Sequence, residues 1–346
     1  MRSDVNHNRF RRALRPIARS AVLGRDAWDV RTARHTARRL TGDNTLAIRT
    51  ARRTAGGMRI LTVEGDRTGS AILKMARLPH AASALQRESR ALLAVREAVG
   101  TSAIRDLVPE VLRAGHAAGW SYLLQRRLPG EPATLAMADH RRGGELLAGA
   151  AGVAGELHRL TARRQAVTSA EHEAWVRRPV AVIASLIGQE AHEPLRQLVE
   201  ETLPALPDHL SVGWVHGDFW SENVLVDPAS GRITGIVDWD SAEAGGLGLH
   251  DRIHLVLYRR KRQRGAELGD EIRRVLTARP DWDAAESSTV QAAIATVQAG
   301  SGTDAVKLTI VLYWLRVVTE NLHRQPGLAR RRAWVETNVR QVLACL

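Results

Sequence analysis

The residues best suited to chemistry lie in one short stretch. Trp214-Val215-His216-Gly217-Asp218-Phe219-Trp220-Ser221-Glu222-Asn223-Val224-Leu225-Val226-Asp227 is followed closely by Gly235-Ile236-Val237-Asp238-Trp239-Asp240. Val224–Val226 reads as a short apolar strand, Pro228-Ala229-Ser230-Gly231 as a turn and Ile233–Val237 as a second strand. A hairpin returns its two ends to one place. Asn223, opening one arm, therefore meets Asp238, closing the other. Two hard oxygen donors side by side suit Mg²⁺, with water and phosphate completing its shell. Asp218, five residues before Asn223, lies on the loop that enters the hairpin. A carboxylate so placed can orient an acceptor hydroxyl and take its proton. The competing account is a structural hairpin with Asp and Asn as turn formers.

The pattern His-Gly-Asp-x-x-x-x-Asn, followed about fifteen residues later by an Asp after an apolar strand, resembles the catalytic loop of the aminoglycoside phosphotransferase family. That family is the kinase-like fold of antibiotic, choline and related small-molecule kinases. The resemblance implies ATP, or GTP, as donor and Mg²⁺ as cofactor. It makes Asp218 the catalytic base and Asn223 and Asp238 the metal ligands, with His216 holding the loop by hydrogen bonds. Asp251 resembles the family's buried loop-bracing Asp, and capping of the helix that starts there is an equal account. Asp240 resembles a second acidic residue beside the metal ligand.

The preceding half reads as strand, strand, strand, helix, strand, strand: Thr45–Thr50, Met58–Val63, Ser70–Met75, His80–Val99, Glu110–Ala114 and Trp120–Gln125. Lys74 is the charged residue of the third strand and resembles the family's phosphate-binding Lys. Glu88 on the following helix is its expected partner, with Glu97 the competitor. Thr54, Gly56 and Gly57 stand where a phosphate-covering loop belongs and read equally well as a hairpin turn; no Gly-x-Gly-x-x-Gly occurs there. Gln125, Arg126 and Arg127, before Leu128-Pro129-Gly130, resemble the hinge whose backbone binds adenine. Arg142–Arg163 reads as a long helix carrying His158, a packed residue in this reading. Trp175, Trp220, Trp239 and Trp314 either line the acceptor pocket or belong to the core.

For the elements that must position these groups, the resemblance implies an α+β, two-lobed protein-kinase-like fold. A small antiparallel-sheet N-lobe with one helix spans 43–125, and a larger, mainly helical C-lobe spans 126–346. The chain has 346 residues, 44% hydrophobic and 25% charged, enough for a substantial core. Its net charge of +13 is concentrated at one end: residues 1–60 hold fifteen Arg against four Asp. Residues 1–42 are therefore read as an Arg-rich helical extension, either a solvated face or an arm for an acidic partner or peptide. The single cysteine, Cys345, excludes an intrachain disulfide and fits a cytoplasmic setting. No apolar run suggests a membrane span or an export signal.

Phosphoryl transfer to a hydroxyl of a small molecule is the function expected, the acceptor lying against the helical lobe. Glu190, Glu193, Glu200 and Glu201 read as exposed helix residues rather than an acid-lined cleft. The alternatives are a kinase acting on Ser/Thr of a peptide, a non-catalytic kinase-like scaffold, and a polyanion binder using residues 1–60 with Arg259-Arg260-Lys261-Arg262-Gln263-Arg264. Neither basic run has aromatics at base-stacking spacing, which argues against nucleic acid. Phe-Gly does not follow Asp238 and no Ala-Pro-Glu follows, which argues against a protein kinase controlled by an activation loop.

Overall fold

A computed structural model of the chain describes residues 30–54, 56–139, 142–188, 191–278, 280–297 and 304–346. Most of the Arg-rich extension and Glu190 lie outside the described residues. Helices of ten residues or more are numbered.

The N-lobe opens with α1 (Val30–Thr41). A five-stranded antiparallel sheet follows: β1 (Ala47–Arg53), β2 (Arg59–Gly65), β3 (Gly69–Ala76), β4 (Val111–Ala117) and β5 (Trp120–Arg126), in the order β1-β2-β3-β5-β4. Helix α2 (Pro79–Ala98) crosses between β3 and β4. The expected element order holds, with boundaries displaced by a few residues.

The sheet buries its two faces separately. Leu61, Val63, Leu73, Met75 and Trp120 form a cluster with Ala37 and Leu40 of α1, whereas Leu123 packs with Leu85, Leu92 and Val95 of α2. The end of the stretch read as an extension thus packs on the N-lobe sheet. Asp43 fixes the junction, its buried carboxylate accepting N–H bonds from Thr45 (3.0 Å), Arg67 (3.1 Å) and Thr68 (2.9 Å). The Thr45 side chain leads the hydrogen bonds that outweigh burial and hold its pKa well below the ordinary carboxylate range.

The C-lobe is mainly helical: α3 (Gly143–Thr161), α4 (Arg178–Ile187), α5 (His192–Ala205), α6 (Leu249–Arg264), α7 (Leu268–Thr277), α8 (Ala284–Ala295) and α9 (Ala305–Arg324). Two small antiparallel sheets are set into it. One joins β6 (Glu131–Pro132) to β9 (Val224–Val226) and β10 (Ile233–Ile236); the other joins β7 (Arg163–Ala166), β8 (His209–Val215) and β11 (Glu243–Leu247). None of the described helices is long and apolar enough to cross a membrane.

The basic run on α6 is not an open patch. Arg259 and Arg260 are buried and both bind Glu286, at 2.8 and 2.6 Å, while Arg259 also reaches Asp283 at 2.7 Å and Arg260 reaches Asp281 at 2.6 Å. Lys261 faces Glu267, Arg262 binds Glu222, and Arg264 binds Asp281. Each of these five cations is thus paired with an acid, and the pairs join α6 to α8 and neighbouring segments. Glu193, Glu200 and Glu201 are exposed on α5 and paired with Arg196 or Lys307.

Candidate active site

Strand β8 delivers the chain to His216, and the loop after it is shaped by a tight approach. Gly217 has φ of +82°, and a Cβ there would collide with the carbonyl oxygen of Ser241. Glycine is the residue that meets both demands. Asp251, in the first turn of α6, accepts the N–H groups of His216 (2.6 Å) and Gly217 (2.8 Å). Of its two expected roles, bracing the loop is the one realised. The His216 ring completes the frame: Nε2–H donates to the Val237 carbonyl (3.0 Å) and Nδ1 accepts the N–H of Asp218 (3.3 Å). Its edge packs against Trp239, with ring centroids 4.7 Å apart.

The hairpin forms as its composition requires. Val224 pairs with Ile236, and the side chain of Asp227 accepts the N–H groups of Ala229 (2.9 Å) and Ser230 (2.7 Å) to close the turn. The ladder extends to Val237, whose N–H donates to the Asn223 carbonyl at 2.9 Å. Asn223 and Asp238 therefore emerge beside one another. Asn223 Nδ2 donates to the Asp218 carbonyl at 2.9 Å, leaving Oδ1 as its oxygen donor. Asp238 adopts a left-handed conformation (φ 71°, ψ 61°), an uncommon state for a non-glycine residue that Asp tolerates better than most. About half of its side chain stays exposed. An amide oxygen and an open carboxylate fit Mg²⁺, which keeps several ligands from water and phosphate. Among the described residues no group of three or more acidic, His or Cys side chains forms a self-sufficient metal cage.

Lys74 joins the two lobes. Its Nζ lies 2.6 and 2.8 Å from the carboxylate oxygens of Glu88 and 3.2 Å from Asp238 Oδ1. Glu88, not Glu97, is the partner, and the pair is buried. Burial opposes the ammonium, yet Glu88 and then Asp238 outweigh it and hold Lys74 above the ordinary lysine range. Lys74 leads the influences that lower the Asp238 pKa. Burial raises that of Glu88, outweighing the Lys74 ammonium, and the nearby Asp238 charge adds to the rise.

Asp218 is surrounded by donors. Arg324 Nη1 lies 3.1 Å from Oδ2, and His254 Nε2 lies 3.4 Å from Oδ1. Burial disfavours its charge, but His254 and Arg324 outweigh it and depress its pKa well below the usual aspartate range. His254 is itself fixed by the Tyr313 hydroxyl (3.1 Å) and by stacking on Tyr258, with centroids 4.0 Å apart. Arg324 Nη2 reaches Asp240 Oδ1 at 3.4 Å, and Arg87 Nε donates to the Asp240 carbonyl at 3.3 Å. A cavity of about 320 Å³ opens beside Asp240, lined by Trp175, Glu243, His250, Arg316 and His323 among others.

Some expected contributors take other roles. The N–H of Thr54 donates to Met58 O (2.8 Å) and that of Gly57 to Thr54 O (3.0 Å), so the segment is a hairpin turn with these two amides committed within it. Gly56 accepts a contact from the His80 ring through its carbonyl (2.9 Å). At the hinge, Arg126 N–H donates to Glu110 O (2.9 Å) and Arg127 N–H to Ser70 O (3.2 Å), which makes them sheet donors rather than donors to adenine. Gln125 is buried, and its Oε1 has no hydrogen-bond partner. His158 is packed against Gly213 and Gly248, as a core residue should be. Trp239 and Trp314 are fully buried and bind the carbonyls of Ile236 and Asn338, so they belong to the core; Trp220 packs on Tyr258.

The sequence reading missed Arg324, His254, Arg87 and Arg316. His254 had a local signal, since it stands three residues after Asp251 on one helix and so shares a face with it. Arg324 had none: it lies 84 residues beyond Asp240, its nearest site partner in sequence.

This geometry agrees with the comparisons. Residues 59–286 match the model of the phosphotransferase enzyme family, designated APH, over more than half of the chain. The chain belongs to that family. Viomycin phosphotransferase of Streptomyces vinaceus is 35% identical to this family member over 156 residues, covering 40% of this chain and 51% of that protein. The chain thus spans about half the length of this curated relative. The macrolide 2'-phosphotransferase MphH from Brachybacterium faecium aligns with a TM-score of 0.55 at 16% identity, covering 90% of this chain and 98% of that one. An aminoglycoside-3'-phosphotransferase of type VIII aligns at 0.49 with 20% identity, over 79% and 94%. The fold is accordingly the two-lobed α+β, kinase-like architecture, and the family's role is that of a phosphotransferase.

Proposed function

We propose that the protein moves the γ-phosphoryl group of ATP, with GTP as the alternative donor, to a hydroxyl of a small molecule such as an antibiotic, a sugar or a related metabolite. The observation that carries this reading is the meeting of Lys74, Glu88, Asp218, Asn223 and Asp238 around one cleft. These residues come from both lobes and lie up to 164 residues apart in the chain.

In this reading Lys74 pairs with the α- and β-phosphates while Glu88 holds it in place. Asn223 Oδ1 and the Asp238 carboxylate are the donors that would hold Mg²⁺, whose chemistry is to neutralise phosphate charge. Asp218 receives the acceptor hydroxyl, aligns it and takes its proton. His216 and Asp251 keep that carboxylate in register. The cavity beside Asp240 seats the acceptor, with Trp175 as its apolar wall and carboxylates and guanidinium groups around it. The name of the Streptomyces relative favours an antibiotic among the acceptor classes.

ADP release with Mg²⁺-ATP, followed across a panel of hydroxyl-bearing antibiotics and sugars, tests the assignment. Turnover should rise above the acceptor-free rate for one chemical class. A protein that binds nucleotide yet accelerates transfer to no small molecule, while phosphorylating Ser/Thr peptides, would replace this reading with a peptide kinase.

A further inference from the structure

The catalytic stretch carries acids without a cation of its own. Residues 216–223 and 237–243 contain no Lys or Arg. They do contain Asp218 and Asp240, which share Arg324, and Asp238, which binds Lys74. A nucleotide phosphate brought among three carboxylates meets strong repulsion unless positive charge stands opposite. Lys74 supplies some on the N-lobe side, where Glu88 and Asp238 already hold it.

On the C-lobe side the arginine paired with these aspartates, among the described residues, is Arg324, at the last residue of α9; Arg316 instead meets the Gly217 carbonyl and Glu243. Its Nη1 lies 3.1 Å from Asp218 Oδ2 and its Nη2 lies 3.4 Å from Asp240 Oδ1. The side chain is 28% exposed, so water, and a ligand, can reach it. His323 and Glu320, its neighbours on the helix, line the acceptor cavity. The guanidinium therefore stands between the base and the acceptor pocket, where acceptor oxygen and phosphorus must meet. A guanidinium has five N–H donors in a planar fork, and two carboxylate contacts leave others to engage phosphate oxygens.

We propose that Arg324 is a catalytic residue of phosphoryl transfer, its guanidinium docked by Asp218 and Asp240 and donating its remaining N–H groups to the equatorial oxygens of the group in flight. This rests on the phosphotransferase reading above. In the step, the acceptor oxygen forms a bond to the γ-phosphorus. The bond from that phosphorus to the β–γ bridging oxygen breaks, its electron pair leaving on ADP. The acceptor proton passes to Asp218. Negative charge on the equatorial oxygens is met by a donor that is already in place, which is where preorganised electrostatics acts most strongly.

The test compares wild type with Arg324→Gln and Arg324→Lys in calorimetric binding of Mg²⁺-ADP, alone and with aluminium fluoride as a stand-in for the transferring group. The wild type should bind ADP much more tightly with the fluoride. Arg324→Gln should keep its affinity for ADP alone and lose roughly a hundredfold or more of the fluoride-dependent gain, with a comparable fall in kcat and little change in KM for ATP. Arg324→Lys, which retains the charge without the fork, should recover part of both. A variant that loses kcat while keeping the full fluoride-dependent gain would show that Arg324 only positions Asp218, and would overturn the proposal. A wild type without any such gain would remove the phosphotransfer reading and this proposal together; a gain shared equally by wild type and both variants would remove the proposal alone.

Discussion

Replacing Asp218 by Asn should lower kcat by about a hundred- to ten-thousandfold while leaving the affinity for Mg²⁺-ATP nearly unchanged. The amide keeps the shape of the side chain but cannot accept the acceptor's proton. Nucleotide contacts fall to Lys74, Asn223 and Asp238; of these only Asn223 reaches the Asp218 side chain (3.4 Å), and its carbonyl-directed bond to the Asp218 backbone is kept. The wild-type profile carries a second signature. Hydrogen bonding and charge from His254 and Arg324 hold Asp218 ionised below the usual carboxylate range. The free enzyme's acid limb in kcat/KM should therefore not show an aspartate titrating near its ordinary pKa of about 3.9, but only below it. The sign for stability is the same: a depressed folded pKa stabilises the fold above the unfolded value, and that contribution is lost as pH falls through the folded one. Steady-state kinetics from about pH 4 upward, with calorimetric ATP binding, checks both. Near-normal turnover by the Asn variant would exclude Asp218 as base.

Lys74→Met should damage both activity and stability. Glu88 is 1% exposed and loses its ammonium partner, and breaking a buried pair from one side typically costs about 3–5 kcal/mol. Burial already raises the Glu88 pKa in the intact protein. In the variant that carboxyl should take up a proton more readily, so the loss of stability should be smaller at mildly acidic pH than at pH 8. The double variant Lys74→Met/Glu88→Leu should melt closer to wild type than Lys74→Met does, because the fully buried carboxylate is gone and Asp238, which also loses its ammonium, is half-exposed to water. It should stay impaired in ATP use, since Lys74 would pair with the phosphates. Thermal melting and ATP titration of the three proteins separate the roles. Recovery of full activity along with stability would mean that Lys74 is structural only.

The parts legible in the sequence were those encoded locally. Asp218, Asn223 and Asp238 fall within 21 consecutive residues whose strands and turn fix their relation. A hairpin register carries Asn223 to Asp238 without help from the rest of the fold. Lys74 could be found because one charge in an apolar strand needs a buried partner, and Glu88 is on the next element. Arg324 and His254 belong to tertiary packing. The approach of α9 to the catalytic loop depends on how Trp314, Tyr313 and their neighbours fill the C-lobe, and periodicity does not report that. The same limit explains the basic run at 259–264. Its composition resembles an open patch, whereas α8 supplies Glu286 to bury two of its arginines. Gln125 and Arg126 do stand at the end of β5, but the amides of Arg126 and Arg127 are spent on neighbouring chain segments that no local pattern names.

The central claim is that Lys74, Asn223 and Asp238 build one magnesium-nucleotide site. A calorimetric titration of the wild-type protein with ATP, in Mg²⁺ and then in EDTA, tests it most directly, with Asp238→Ala as the control. Saturable binding that needs the metal and is lost in the variant is the predicted result. A folded wild-type protein that takes up neither ATP nor GTP in the presence of Mg²⁺ would contradict it.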